Sequence, residues 1–311
     1  MTAHASTPDG RRIRVLWNPT AGRKGGIPTN HGSQGMLLDL MRRHGLGDEL
    51  IAPTSEREAA EAAVAAVADG YDIVVAAGGD GTIGLVARQL LGSRTALGIL
   101  PLGSVMNIPR MLGVPRDLEA AAAILADGRA RPIDVGHVGD HLFYEAGSVG
   151  LHAAATRELP KVDGGDYGAI ARSVVSAVRY VPSEVRIELD DDRAIETTAL
   201  MVAVANGPFL GPGVPVAPQA QLDDGLFDVR VFLHQTKGEL ARDLTGISAG
   251  HLPDQRHTLT ERASRVRITS PEPLPVRADA VDLGTTPVTF EIHPRVVTVV
   301  APDRLAPATD R

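Results

Sequence analysis

Through its first 130 residues the chain alternates short apolar runs with alanine-rich amphipathic stretches, the pattern of strand-helix-strand units. Ile13 to Trp17 predicts a strand that ends on the turn Asn18-Pro19-Thr20-Ala21-Gly22, and Glu49 to Ala52 a short second strand. Ser55, with Glu58 three residues on, forms a capping box ahead of a helix reaching about Ala68. Tyr71 to Ala77 and Ala96 to Leu100 predict further strands, and Ile83 to Leu91 and Leu118 to Ala126 further helices. Short strands separated by helices imply a doubly wound, mostly parallel α/β sheet covered on both faces. Ligands of such sheets sit at the carboxyl ends of the strands, where the glycine-bearing turns after Trp17, Ala77 and Leu100 all fall.

After Pro132 strands dominate: Ile133 to Val138, Val185 to Leu189, Ala199 to Ala205, Phe227 to Phe232, Arg265 to Thr269, Val288 to Ile292 and Val296 to Val300. Only Tyr167 to Tyr180 and Lys237 to Ile247 carry a helical pattern. Gln219 to Gly225 and Val281 to Pro287 read as loops. The expectation is an α/β domain over 11–132 and a β-rich sandwich domain over 133–301, with the boundary near Arg131 to Asp134. The proline- and alanine-rich segment 302–311 is expected to be frayed or to pack back on the first domain.

Composition narrows the classes of function. The 311 residues, 43% hydrophobic and 22% charged, leave room for two cores. Aromatics make up 3% and the net charge is −7, which gives few stacking platforms and no general attraction to phosphate polymers, so nucleic acid is not an expected partner. The absence of cysteine excludes disulfides, thiolate metal sites and cysteine nucleophiles, and the ten histidines form no metal signature. With no apolar leader at Met1 to Arg12 and no apolar run of spanning length, the reading is a cytoplasmic protein that does not cross a membrane. Arg11, Arg12, Arg14, Arg23 and Lys24 would let it touch one peripherally, or are solvated loop charges.

The segment Val74 to Thr82 carries the most chemistry, because a buried-strand run stops there on glycines, one carboxylate and one hydroxyl. Gly78, Gly79 and Gly81 can take positive φ and bring backbone amides against an anion, and the following helix adds its positive dipole end. Phosphate is the expected ligand; the plain alternative is a tight turn in which glycine only satisfies geometry.

In order along the chain, Asn18-Pro19-Thr20-Ala21-Gly22, Gly78-Gly79-Asp80-Gly81-Thr82 and Pro101-Leu102-Gly103-Ser104 resemble the diacylglycerol kinase catalytic family, which includes bacterial lipid kinases and sphingosine kinases. The similarity runs from about Arg12 to Pro302 and takes in Phe143 to Leu151, Asn206-Gly207 and Leu222-Asp223-Asp224-Gly225. The resemblance implies a nucleotide-binding α/β domain, a β-rich lipid domain, and a cleft between them where ATP meets a hydroxyl of a lipid such as diacylglycerol or phosphatidylglycerol at a membrane surface. It puts Asn18, Pro19, Thr20, Ala21, Gly22, Thr54, Gly78, Gly79, Asp80, Gly81, Thr82 and Ser104 around the nucleotide, and Asp80 on Mg²⁺ or proton handling. It also puts a structural Mg²⁺ on the Asp224 carboxylate and the carbonyls of Gln221 and Leu226. From the residues alone, Thr54 is equally an N-cap and the Asp-Gly pair a turn between strands.

The chain departs from that family at three places. Gly84 and Leu85 stand where an Asn-Glu pair is usual, and Ser104-Val105-Met106-Asn107 replaces Thr-x-Asn-Asp. Asp279-Ala280-Val281 replaces the Asp-Gly-Glu whose acid is the general base. Asp279 and Asp282 are the carboxylates left, although Asp282 points to the opposite face from Val281 unless the loop shifts register. General base catalysis contributes about 10²- to 10⁴-fold, so a slow kinase survives its loss. The alternatives are a nucleotide- and lipid-binding protein with weak or no kinase activity, and an NAD kinase, which shares the Gly-Gly-Asp-Gly-Thr turn. A homodimer stays open.

Overall fold

The structure, a computed structural model, describes residues 7, 10–24, 27–28, 30, 32–157, 168–211, 213–233, 236–248 and 257–302. They fall into two units, one running to Ile133 and resuming at Arg295, the other Asp134–Pro294.

In the first unit the strands Leu50–Ile51, Ile13–Trp17, Ile73–Gly78 and Ala96–Pro101 lie side by side in that order, all parallel. Every residue of Ile73–Gly78 and Ala96–Pro101 is buried, as the helix-covered sheet requires. Helices Gln34–Arg43, Glu56–Ala68, Asp80–Gln89 and Leu118–Asp127 each bury one stripe, for example Ile83, Val86 and Ala87 on Asp80–Gln89. Gly98 is needed for close packing: a Cβ there would lie 2.6 Å from a Leu125 methyl and 2.8 Å from a Val75 methyl. Half of the capping box forms as read, Ser55 Oγ accepting the Glu58 amide at 3.2 Å, while the Glu58 carboxylate reaches back to the Thr54 amide at 2.7 Å rather than to that of Ser55.

The second unit is antiparallel. Its 13-residue strand Arg193–Ala205 pairs along its first half with Ser183–Leu189 and along its second half with both Ala146–Gly150 and Phe227–Leu233. One strand thereby pairs with three others, and in the core Phe143 stacks on Phe227 at a centroid separation of 5.7 Å and meets Phe290 edge to face at 5.9 Å.

Several expectations are corrected. Val281 to Pro287 is not a loop: Val281–Thr285 is a strand paired with Pro275–Ala278. Val288 to Ile292 and Val296 to Val300 are one strand, Val288–Ala301, whose beginning pairs with Arg265–Thr269 and whose Val299 pairs in parallel with Leu97. Residues 295–301, expected in the second domain, therefore belong to the first unit, held by its parallel sheet. Helix Gln34–Arg43, capped by Ser33, and the short helix Asn107–Met111 were not anticipated. The expected tail lies outside the described residues beyond Pro302.

Candidate active site

Three strand ends of the first unit converge as their turns predicted. The Asn18 amide donates to the Ala77 carbonyl at 3.0 Å, and the Leu102 amide to the Gly78 carbonyl at 2.9 Å. Asn18 then organises the first turn, its Oδ1 accepting both the Thr20 amide at 3.0 Å and the Thr20 hydroxyl at 2.8 Å. Its Nδ2 donates to Thr82 Oγ1 at 3.1 Å, tying the first turn to the helix that follows the second.

The glycines act differently from the expectation. Gly78, Gly79 and Gly81 are absent from the positive-φ positions, and Gly79 has φ −86. They serve close approach instead. A Cβ on Gly78 would lie 2.5 Å from Thr82 Cβ, and one on Gly103 would lie 2.9 Å from Gly79 Cα. Gly81 is the exception, since a Cβ there would meet nothing within 4 Å and would project into open space.

The helix Asp80–Gln89 starts three residues earlier than expected, with Gly79 as N-cap and no side chain capping its first amides. Those amides are the donors that every helix start leaves unpaired, and the dipole favours an anion beside them. The helix start opens on a cleft of about 390 Å³ lined by Trp17, Asn18, Pro19, Thr20, Thr54, Glu56, Gly81, Thr82 and Leu85, among others. The structure thus gathers Asn18, Pro19, Thr20, Thr54, Gly81 and Thr82; Ala21, Gly22, Gly78, Gly79, Asp80 and Ser104 are not in its lining. Thr54 donates its hydroxyl to Glu58 Oε2 at 2.7 Å, and the two Thr54 bonds hold the Glu58 carboxyl below its ordinary range. Sequence reasoning left Leu85 as a mere departure and overlooked Trp17 and Glu56, which the strand end and helix start bring to the same wall.

Asp80 does not face the cleft as a ligand. Its two oxygens accept the Asn107 amide at 3.2 Å and the Ile108 amide at 3.0 Å, so it caps the helix Asn107–Met111 from a distance in sequence. Burial pushes its carboxyl up, against the pull of the Ile108, Asn107 and Met106 amides. Met106, the N-cap of that helix, sits at φ +62, where asparagine or glycine rests at less cost than methionine.

In the second unit the two expected catalytic carboxylates, Asp279 and Asp282, are also engaged. Asp279, at φ +45 in the turn between Pro275–Ala278 and Val281–Thr285, accepts the amides of Tyr144 at 2.8 Å, Glu145 at 3.0 Å and Ala146 at 3.2 Å. That is a structural clamp rather than a free base. Asp282 pairs with Arg157 at 2.8 Å and takes the Gly284 amide at 2.9 Å, while Val281 is 42% exposed. The register shift in this hairpin falls between Val276 and Arg277 and leaves Asp282 opposite Arg277.

The metal expectation at Gln221, Asp224 and Leu226 does not fit. Asp224 Oδ2 is bound by the Arg262 guanidinium, its Oδ1 accepts the Leu226 amide at 3.0 Å, and the Gly225 amide goes to Asp134 at 2.7 Å. A cation arriving at Asp224 would meet a positive charge already seated. Among the described residues no three His, Cys, Asp or Glu side chains converge as metal ligands. The arginine cluster near the N-terminus is likewise engaged: Arg12 and Arg14 stack 4.2 and 4.3 Å from the centre of the Tyr71 ring, and Arg11 donates to the Leu125 and Ala126 carbonyls. Arg23 and Lys24 have no described side chains. No helix among the described residues is long and apolar enough to cross a membrane.

Comparison with known proteins agrees with the resemblance. The family model of the diacylglycerol kinase catalytic domain matches residues 12–138, and that of the YegS C-terminal NAD kinase beta sandwich-like domain matches 148–301. A diacylglycerol kinase of Bacillus subtilis (strain 168) is 30% identical over 306 residues, with 96% of this chain and 99% of that one covered. One from Staphylococcus aureus (strain MRSA252) is 25% identical over 300 residues, covering 94% and 93%. The crystal structure of a diacylglycerol kinase from Bacillus anthracis strain Sterne shares the fold at a TM-score of 0.73 and 20% identity, covering 95% of this chain and 98% of that one.

Proposed function

This chain belongs to the diacylglycerol kinase family, kinase-type phosphotransferases, and from that premise we propose that it transfers the γ-phosphate of ATP to a hydroxyl of a lipid such as diacylglycerol or phosphatidylglycerol. The observation that carries the reading is the convergence of Asn18, Thr20, Thr54 and Thr82 on one cleft at an uncapped helix start. Backbone amides at Asp80 to Thr82 hold the phosphate tail, the Thr20 and Thr82 hydroxyls orient it, and the apolar wall of Leu16, Trp17, Ala59 and Leu85 takes the base or ribose. The divalent ion enters as part of the Mg·ATP substrate, and no step runs through the loop at Asp224.

Phosphoryl transfer draws mainly on positioning and charge stabilisation, which this cleft offers. With Asp279 and Asp282 engaged and Val281 aprotic, the acceptor hydroxyl gives up its proton to water or to an oxygen of the transferred phosphoryl group as ADP leaves, and the reaction is slow by about 10²- to 10⁴-fold relative to a relative that has a general base. Labelled ATP, Mg²⁺ and dispersed lipids of several headgroup classes should yield one labelled lipid. Absence of label across all of them, with nucleotide binding intact, would leave the nucleotide- and lipid-binding alternative. Val281→Glu should raise the rate.

A further inference from the structure

The His152 ring is held on one side only. It lies in the short helix Leu151–Thr156, and its Nδ1 meets Ser148 Oγ at 2.8 Å, the serine being wholly buried. Its Nε2 is also buried and has no hydrogen-bond partner. An unpaired polar atom costs stability wherever water does not reach it. A phenylalanine would fill the same volume without that cost, so packing gives no reason for an imidazole here. Gly211, at φ +60, lies against Nε2, and a Cβ on it would stand 2.9 Å from that nitrogen. Gly211 and Gly213, the latter at φ +76, lie in the tip of the hairpin that pairs Phe209–Leu210 with Val214–Pro215.

The Ser148 and His152 pair stands beside the hairpin that carries Val281. Ala203, Ser148, Arg277 and Asp282 are directly opposite one another on four neighbouring strands, so they share one face of the sheet. Arg277 and Asp282 belong to that hairpin, where Val281 holds the place that the resemblance gives to a general base. What Nε2 takes here is uncharged. The Arg277 guanidinium disfavours a cation beside the ring, and it donates to the Asp279 and Ala280 carbonyls rather than standing free for an anion. Asp282, the nearest carboxylate on that face, is paired with Arg157. A hydroxyl both donates and accepts, so it matches Nε2 in either tautomer of a neutral imidazole.

We propose that His152 Nε2, backed by Ser148, binds and orients the alcohol group of the acceptor lipid, a glycerol hydroxyl that reaches it when the Gly211 turn lifts. Burial holds the ring neutral and makes it a weak base, so it fixes the direction of the hydroxyl without keeping its proton. The inference rests on the phosphotransfer reading for its substrate, but hydroxyl binding is measured without nucleotide.

The test is calorimetric titration of 1,2-dihexanoylglycerol and of dihexanoylphosphatidylglycerol into the full chain, each beside its O-acetylated form. The native chain should bind the free hydroxyl of one of them about tenfold more tightly than the acetate, and the lipid that shows this is the source of the hydroxyl. The double change Ser148→Ala and His152→Phe should erase that preference and raise the KM for that lipid about tenfold. The KM for ATP and the melting temperature should stay, since both partners become apolar together. His152→Gln, which keeps a polar atom at the reach of Nε2, should keep most of the preference. Should the double variant not fold, Gly211→Ala sets a methyl against Nε2 with Ser148 and His152 intact, and it should lose the preference likewise. The inference is overturned if the native chain makes no distinction in either lipid, or if the preference survives these apolar changes. A native chain that shows the preference yet labels no lipid upholds this site and counts against phosphotransfer alone.

Discussion

Replacing Asp279 distinguishes a clamp from a catalytic base. Its carboxylate accepts three amides, those of Tyr144, Glu145 and Ala146, whose residues are 5%, 9% and 1% exposed. Asp279→Ala leaves those donors without their partner, at about 1–3 kcal/mol each before relaxation, and forces alanine into φ +45 at about 1 kcal/mol more. Because water and backbone shifts recover part of this, the expected loss is about 4–6 kcal/mol, among the largest that point changes produce. Asp279→Asn tolerates the left-handed backbone and keeps an oxygen for Glu145 and Ala146, losing only the Tyr144 bond, so about 1–3 kcal/mol is expected. Urea unfolding of the three chains, with turnover measured under conditions where each stays folded, reads both effects. If Asp279→Asn unfolds like the native chain while turnover collapses, the carboxylate is doing chemistry and the clamp reasoning is wrong.

Other changes follow from the same geometry. Burial lowers the His152 pKa from 6.5 to about 4, so the unfolded chain takes up this proton first; the stability due to the neutral ring is present above pH 6.5 and lost as pH falls toward 4, by about 3 kcal/mol in all. His152→Gln should flatten that slope in pH-dependent melts. Chelation should leave the melting temperature unchanged, because Arg262 already neutralises Asp224, whereas Arg262→Ala should cost about 1 kcal/mol and make the melt responsive to Mg²⁺. A native chain that loses stability in EDTA would contradict this. Ser55→Ala removes an N-cap and should cost about 1 kcal/mol, or about 2–4 °C in the melt, with turnover on saturating nucleotide unchanged.

Local signals were legible in the sequence. The Ser55 N-cap, the parallel strands and the three turns at their ends each depend on residues a few positions apart or on one hydrophobic period, and each formed. What escaped depends on contacts across long stretches of chain. Asp80 looked like a free carboxylate beside phosphate because nothing near it in sequence announces the Asn107 and Ile108 amides. Asp224 looked like a metal ligand because Arg262 lies on another strand. Glycine-rich turns suggested positive φ, but the same composition serves close packing, and only the positions of Thr82 and Gly103 decide between the two. The strand Val281–Thr285 was hidden by its shortness: Val281 and Leu283 alternate with Asp282 and Gly284, but Gly284 and the Pro287 that follows carry the signal of a turn.

The most direct test of phosphate held at the helix start is calorimetric titration of Mg·ATP into the native chain and into Gly81→Asp. A side chain at Gly81 meets nothing within 4 Å, and an acidic residue in the first helical turn suits the dipole, so the variant should fold at least as stably. Its carboxylate would stand where the phosphates belong. Saturable binding to the native chain, weakened about tenfold or more in a variant with an undiminished melting temperature, is the expected result. Equal binding by both chains, or none by the native one, would contradict it.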